Sequence, residues 1–276
     1  MQQTVPQGLN DQSLNQYATK FFGFGGWKAN CWLIGIEEYG AGTCPDEFCK
    51  RYKAWQTLKY PSMVDLGNYF KKCEIAGTPN WGNRTWRAMH CICSKAGFAK
   101  DKLCPCNGRW GGTVTKGNGH VALIEAMPFP APSTTDQSWP YTESKWNEFG
   151  IESRAKCAEK FLKKRLDTLE RKFKKYKPKV VITYGSKYAS CYDIRCWCSG
   201  IRGELASEWK EESVQWNDST SKTAKKAYFF LREVNWKSNL KSLLVCVPQP
   251  SSYLRRGGSV VPCKIGELIK ERLNTY

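Results

Sequence analysis

Several features that define common protein classes are scarce or missing in this sequence. Only two histidines occur, His90 and His120, so hydrolysis through a nucleophilic Cys–His pair has little support. No stretch approaches the roughly 18 consecutive apolar residues of a membrane-spanning helix, and no lipidation signal is visible. Residues 1–16 lack the basic start and apolar centre of a secretion signal. We therefore expect a cytoplasmic, monomeric protein that makes no membrane contact.

Acidic residues are also few relative to basic ones. The 276 residues include 43 Lys and Arg against 25 Asp and Glu, which gives a formal net charge of +18. A field of this sign favours a polyanionic partner, most often nucleic acid. With 41% hydrophobic and 13% aromatic residues, the chain can bury a sizeable core and is not a disordered tail. No internal repeat or low-complexity linker is visible, so we predict one domain over 1–276.

Cysteine, in contrast, is abundant. A reducing compartment makes a disulfide framework unfavourable, so most of the 14 cysteines are expected to be buried thiols. One group has the spacing C-x-C-x10-C-x-C and is a candidate structural zinc or iron–sulfur site: Cys91, Cys93, Cys104 and Cys106. Tetrahedral zinc sites usually use pairs separated by two to four residues, whereas these pairs are separated by one. A metal site and buried free thiols therefore both remain open for these four cysteines. No cofactor is expected to be required for catalysis.

Four short apolar runs predict the strands of the fold: 31–36, 121–126, 179–185 and 242–247. None alternates with polar residues, which is typical of parallel strands covered on both faces. Apolar positions at helical spacing predict a helix over 151–176, and a second helix is expected at 264–273. We therefore predict a three-layer α/β/α sandwich with a central four-stranded, mainly parallel sheet. Residues 41–118 form a Cys- and Trp-rich insertion within it.

Unusual residues follow each of the four runs. The tails read EEYG, EAMPFPAPS, YGSKY and PQPSSYLRRGG. In open α/β sheets the working site lies beyond the carboxyl ends of the strands. We therefore expect these four tails to meet at one edge of the sheet and to form the site there.

In order and content, the four tails resemble the uracil-DNA glycosylase superfamily. Residues 35–39, Gly-Ile-Glu-Glu-Tyr, are similar to the first motif of that superfamily, which carries the acid that activates water. Residues 123–125 fall on the strand that ends in a base-reading Asn, and residues 249–254 are similar to the loop that plugs the duplex. Residues 177–185 resemble the third strand. The resemblance implies base flipping followed by excision, with Glu37 beneath the sugar.

Two departures from the family pattern concern the leaving base. Gln249 stands where the family has His, and the resemblance implies that its amide contacts the base O2. Glu125 stands where the family has Asn. A carboxylate accepts hydrogen bonds, which suits the exocyclic N4 amine of cytosine better than the edge of uracil. We therefore predict excision of a non-standard base, a modified cytosine, as found in phage DNA.

The same resemblance assigns positions that would contact the base and the DNA. Ile36 and Tyr39 would form the pocket wall. Residues of two tails would hold the phosphate backbone and fill the gap left by the flipped base: Ser186, Lys187, Ser251, Ser252, Tyr253, Leu254, Arg255 and Arg256. Residues 154–179 carry 12 Lys and Arg against three acids and would add a DNA-facing stripe.

Two other interpretations remain open at this point. One is a uracil-DNA glycosylase of repair with divergent motifs. The other is a non-catalytic DNA-binding protein on the same fold. A metal-dependent nuclease built on Glu37 and Glu38 is disfavoured, because adjacent strand residues point to opposite sides.

Overall fold

The protein has an α/β fold, seen in a computed structural model that describes residues 9–35, 44–73, 84–99, 119–131, 138–142, 144–185, 208–216, 225–236, 240–248 and 260–275. The helices are α1 (Asp11–Lys20), α2 (Cys44–Thr57), α3 (Leu66–Cys73), α4 (Arg84–Lys95), α5 (Ser144–Asn147), α6 (Arg154–Tyr176) and α7 (Val260–Asn274). The strands are β1 (Gly23–Phe24), β2 (Cys31–Gly35), β3 (Met63–Val64), β4 (Val121–Glu125), β5 (Val180–Tyr184), β6 (Lys210–Trp216), β7 (Lys225–Asn235) and β8 (Lys241–Val247). None of the described helices is long and apolar enough to cross a membrane.

Local sequence signals explain where α1 and α6 begin and where α6 ends. α1 starts with a capping box, in which the Ser13 amide donates to Asn10 Oδ1 over 2.8 Å and the Asn10 amide donates to Ser13 Oγ over 2.9 Å. α6 starts after Ser153, whose side chain accepts a hydrogen bond from the Lys156 amide. It ends at Lys177, which is left-handed with φ 46°. The predicted helix over 151–176 is confirmed.

The described strands form one mixed sheet of eight strands in the order β3-β1-β4-β2-β5-β8-β7-β6. The four strands predicted from the apolar runs are β4, β2, β5 and β8, which are adjacent and parallel to one another. The prediction of a four-stranded sheet is therefore wrong in number, because four further strands extend it. β1 and β7 are antiparallel to their neighbours β4 and β8, and β6 is antiparallel to β7.

The additional strands have a different sequence pattern from the predicted ones. In β7 the buried residues Ala227, Phe229 and Leu231 alternate with the exposed Lys226 and Tyr228. This period of two is typical of an antiparallel strand with one solvated face. A search for continuous apolar runs does not detect it. β1 and β3 have two residues each and are too short to carry any periodic signal.

The central strands are buried on both faces, as their unbroken apolar character predicts. Every residue of β2 and β4 is buried. On one face, Cys31 and Leu33 of β2 belong to the large core cluster, to which α1, α2, α4 and α7 contribute. On the other face, Trp32 and Ile34 join a second cluster that includes Leu169 and Phe173 of α6.

The described parts of the predicted insertion, 41–118, contribute to the main core. Phe48 and Trp55 of α2, Tyr69 of α3 and Ile92 of α4 are all buried in the large cluster. α4 and α7 pack closely, since a Cβ on Gly266 would lie 2.5 Å from the Ile92 carbonyl oxygen. This segment is therefore part of the hydrophobic core of the fold and not a surface appendage.

A single buried arginine joins α6 to the end of β4 and to α1. Arg165 Nε donates to the Ala126 carbonyl over 2.8 Å, and Nη2 donates to the Glu125 carbonyl over 2.7 Å. Nη1 donates to the carbonyls of Ala18 and Phe21, the latter over 2.7 Å. The guanidinium carbon also lies 4.3 Å from the centre of the Phe22 ring. These contacts satisfy backbone acceptors where α1 and β4 both end.

Replacing this side chain should destabilise the protein strongly. We expect Arg165→Met to lower the free energy of unfolding by about 3 kcal/mol or more, because it leaves buried carbonyl groups without their charged donor. Arg171→Met removes an exposed arginine of the same helix and should change it by less than about 0.5 kcal/mol. Urea unfolding followed by tryptophan fluorescence measures both. Equal effects of the two variants would contradict the role of Arg165.

Candidate functional site

The candidate site lies where the four central parallel strands end. β4 ends at Glu125, β2 at Gly35, β5 at Tyr184 and β8 at Val247. The strand register pairs Gly35 with Glu125 and Tyr184 with Val247. Since Ile34 pairs with Thr183, Tyr184 follows on the other side of Gly35. These residues therefore form one row across the carboxyl edge of the sheet.

Glu125 and Tyr184 converge above the glycine between them. A Cβ on Gly35 would lie 2.5 Å from Tyr184 Oη and 2.9 Å from Glu125 Oε2. Both distances are shorter than a Cβ tolerates, so no side chain fits at position 35 without moving one of these groups. The space that a side chain at position 35 would need is thus occupied by the Tyr184 hydroxyl and the Glu125 carboxylate, and this pair above Gly35 is called the notch.

The alternation of side chains along the strands explains this convergence. Leu123 of β4 and Ile182 of β5 point to the face of the large core cluster. Glu125 and Tyr184 stand two residues further along and share that face. The hydroxyl and the carboxylate therefore belong to one side of the sheet edge, and Tyr184 packs against the large cluster.

Burial sets the electrostatics of this pair. Glu125 is 5% exposed. Burial raises the pKa of Tyr184 well above its ordinary value, and the negative charge of Glu125 raises it further. The tyrosine hydroxyl is therefore protonated throughout the neutral and mildly alkaline range and can donate a hydrogen bond. Next to it, a carboxylate can accept one.

Arg165 supplies positive charge behind the strand end. Burial lowers its pKa to about 10, and the charges of Tyr17, Cys157 and Glu125 oppose that shift. The guanidinium therefore remains cationic at neutral pH. Through its bonds to the carbonyls of Glu125 and Ala126 it fixes the backbone from which the Glu125 side chain projects. The buried Arg165 side chain thus determines where the Glu125 carboxylate lies.

Of the residues predicted for catalysis and base binding, the structure describes Glu125. It is the last residue of β4, at the carboxyl edge, and pairs with Gly35 of β2. The remaining predicted residues lie outside the described part of the chain: Ile36, Glu37, Tyr39, Ser186, Lys187, Gln249, Ser251, Ser252, Tyr253, Leu254, Arg255 and Arg256. Their roles stay predictions. Three of them, Ile36, Glu37 and Tyr39, follow Gly35 within four positions in the sequence.

Two of the four candidate metal ligands are described, and both lie on α4. Cys91 and Cys93 are buried, and side chains two residues apart on a helix point in different directions. Cys93 Sγ lies 4.0 Å from Cys31 Sγ of β2. Cys104 and Cys106 lie outside the described residues. Among the described residues, no group of three or more His, Cys, Asp or Glu could hold a metal ion, and the metal site stays a prediction.

Sequence reasoning missed Tyr184 and Gly35 as members of the site. Both belong to motifs that it had singled out, at the ends of the runs 179–185 and 31–36. The signal that could have identified Gly35 and Tyr184 is that each stands at the carboxyl end of a predicted strand. Tyr184 belongs both to an apolar run and to the tail that follows it, and nothing in the sequence separates a core ring from a hydrogen-bond donor at a strand end.

Comparison with known proteins adds no assignment to this geometry. No protein-family model matches the chain, and no curated protein matches it.

Proposed function

We propose that the protein is a DNA glycosylase that flips out a non-standard base, a modified cytosine, and excises it by hydrolysis to leave an abasic site. The observation that carries this proposal is the convergence of Glu125 and Tyr184 over Gly35 at the carboxyl edge of adjacent parallel strands. The proposal also rests on the resemblance of the four tails to the uracil-DNA glycosylase superfamily. In that reading, the central strands and the helices on both faces form the three-layer sandwich of such an enzyme.

The chemistry of the notch fits the edge of a pyrimidine. Cytosine presents the N4 amine, which donates, next to N3, which accepts. A carboxylate accepts and a protonated tyrosine hydroxyl donates. Glu125 would therefore bind the amine while Tyr184 donates to N3 or O2. A hydrogen bond to the ring would also stabilise the negative charge that develops on the departing base.

The water-activating role is proposed for Glu37. Glycosidic cleavage develops positive charge on the sugar, which a carboxylate beneath the ring stabilises while it orients water. Glu37 stands two residues after Gly35, which ends β2 in register with Glu125. A base held by Glu125 would thus place its sugar close to the segment that carries Glu37. Gln249, Ile36 and Tyr39 would complete the pocket.

The DNA backbone would be held by the tail residues and by the charge of the protein. The net charge of +18 favours association with a polyanion. Ser186, Lys187 and residues 251–256 are proposed to hold the phosphates and to fill the space of the flipped base. No metal or other cofactor takes part in this hydrolysis.

The notch also fits one other base, which makes uracil the second candidate. Uracil presents O4, an acceptor, next to the N3 proton, a donor. Rotated in the notch, it would accept from Tyr184 and donate to Glu125. The geometry of the pair alone does not separate the two orientations, and the charge of Glu125 favours cytosine because its amine offers two protons.

The first test is base release from a panel of duplexes that carry cytosine, C5-modified cytosines or uracil. We expect the wild-type protein to release a modified cytosine, with abasic sites revealed by alkaline strand cleavage and the base identified by mass spectrometry. Glu125→Gln should slow this release roughly 100-fold, because it removes the charge that binds the amine. Glu159→Gln alters an exposed acid of α6 and should leave the rate unchanged.

Two other outcomes of this test would replace the proposal. Release of uracil alone would replace the cytosine proposal by its alternative. Binding without release from any duplex, with Glu37→Ala equal to wild type, would indicate a non-catalytic DNA-binding protein.

A second test changes the shape of the notch without removing either of its titratable side chains. Gly35→Ala puts a methyl group against Tyr184 Oη and Glu125 Oε2. We expect at least a 10-fold loss of base release, because misplacing binding groups by about 1 Å can cost 100-fold in rate. Gly67→Ala is the control, since its Cβ would meet only Asp65 Oδ1 at 3.4 Å. Full activity of Gly35→Ala would show that the base binds elsewhere.

A further inference from the structure

A second basic surface lies at the opposite edge of the sheet. It is defined here as the amino-edge surface and consists of Lys28, Lys172, Lys175 and Lys179 with the rings of Trp27 and Tyr176. Lys28, Lys175 and Lys179 are exposed, and Lys172 is partly exposed. These residues come from the loop before β2, from the last turns of α6 and from the residue before β5.

Backbone contacts bring these segments together. The Val180 amide donates to the Asn30 carbonyl over 3.0 Å, where β5 and β2 begin side by side. The Leu243 amide donates to the Lys179 carbonyl over 2.9 Å, which adds the beginning of β8. Lys28 and Lys179 therefore stand at the start of neighbouring parallel strands. α6 ends beside them, because Pro178 connects it to β5.

Aromatic rings hold two of the ammonium groups in place. Lys172 Nζ lies 5.4 Å from the centre of the Trp27 ring and 5.9 Å from that of Tyr176. Lys175 Nζ lies 5.5 Å from the Tyr176 ring. The two rings are themselves stacked, with centres 6.5 Å apart and planes 12° from parallel. Cation–π contacts of this kind restrain lysine side chains without neutralising them.

Among the described residues, no acid compensates the charge of the amino-edge surface. In the part of the chain that the structure describes, no carboxylate forms an ion pair with Lys28, Lys172, Lys175 or Lys179. Other lysines of α6 do have such partners, which are Glu152 for Lys156, Asp11 for Lys160 and Glu170 for Lys174. Lys163 and Lys164 in the middle of α6 also have no carboxylate partner among the described residues. The amino-edge surface is therefore distinguished by the aromatic rings on which its ammonium groups lie.

This surface is remote from the notch. Arg165 contacts the Glu125 carbonyl at the carboxyl edge, whereas Tyr176 stacks on Trp27 at the amino edge. Eleven residues of α6 separate the two positions, which at 1.5 Å per residue corresponds to about 16 Å. A phosphate bound at one edge cannot contact the other.

We infer that the amino-edge surface binds the phosphate backbone of a second segment of duplex DNA, without reading its sequence. Lysine ammonium groups are point charges that suit phosphates. An anionic membrane is the less fitting partner, because insertion requires free apolar groups and Trp27 is only 8% exposed beneath the Lys172 head group. The inference does not depend on the excision chemistry, since it uses none of the residues of the notch.

The experiment compares two triple variants of equal charge change. The first is Lys28→Gln, Lys172→Gln and Lys179→Gln. The control is Lys53→Gln, Lys226→Gln and Lys270→Gln, which alters exposed lysines outside α6. Binding to a fluorescein-labelled 30-base-pair duplex of ordinary bases is followed by anisotropy from low to high salt. Thermal melting verifies that both variants are folded.

We expect the first variant to lose about 10-fold in affinity near 0.1 M salt and the control to lose less than about 3-fold. The slope of log K against log salt should fall by about 2 to 3 in the first variant, because each phosphate contact contributes about 0.9. Equal losses in the two variants would overturn the inference, since they would indicate only the overall field of the protein. Loss of binding to phosphatidylserine vesicles with unchanged DNA binding would overturn it in favour of a membrane.

Base release separates this inference from the proposed function. If the enzyme excises a base, its single-turnover rate on a saturating duplex should be the same in the first variant and in wild type, because the amino-edge lysines take no part in the excision chemistry. If no duplex yields an abasic site, the anisotropy comparison still decides the inference by itself.

Discussion

The position of the candidate site depends on one buried cation. Arg165 projects from α6 and donates to four backbone carbonyls, two where α1 ends and two where β4 ends. A guanidinium so far from water is costly unless its donors are satisfied. Carbonyl groups satisfy them here and the Phe22 ring covers the cation. This arrangement ties a surface helix, the first helix and a central strand to one point, and Glu125 projects from that point.

The sheet also has two chemically different edges. At the carboxyl edge a carboxylate and a protonated hydroxyl meet over a glycine, within reach of the positive potential of Arg165. At the amino edge, lysines rest on aromatic rings and have no acidic partners among the described residues. The parallel direction of the central strands produces this polarity, because all four begin on one side and end on the other.

The sequence predicted what depends on continuous burial and on helical period. The runs at 31–36, 121–126, 179–185 and 242–247 became the parallel centre of the sheet, since strands covered on both faces have no polar positions to interrupt them. The helix predicted over 151–176 was recognisable from its apolar stripe and from Pro178, which follows its end. The strands β6 and β7 were missed because their alternation reflects one solvated face. Glu125 was singled out through the resemblance to a known superfamily, because β4 is buried on both faces and its apolar residues do not distinguish one register from another. The partnership of Tyr184 with Gly35 could not be predicted, because it depends on which strands are adjacent, and that is decided by packing between distant segments.

The contact between Cys31 and Cys93 has a consequence for how the core can be probed. Burial raises the pKa of the Cys31 thiol well above its ordinary value, and the neighbouring sulfur of Cys93 raises it further. Only the thiolate reacts with alkylating reagents, so Cys31 is protected twice, by exclusion of the reagent and by protonation. Alkylation of Cys31 requires β2 and α4 to separate. The rate of this modification therefore measures how often the interior opens transiently.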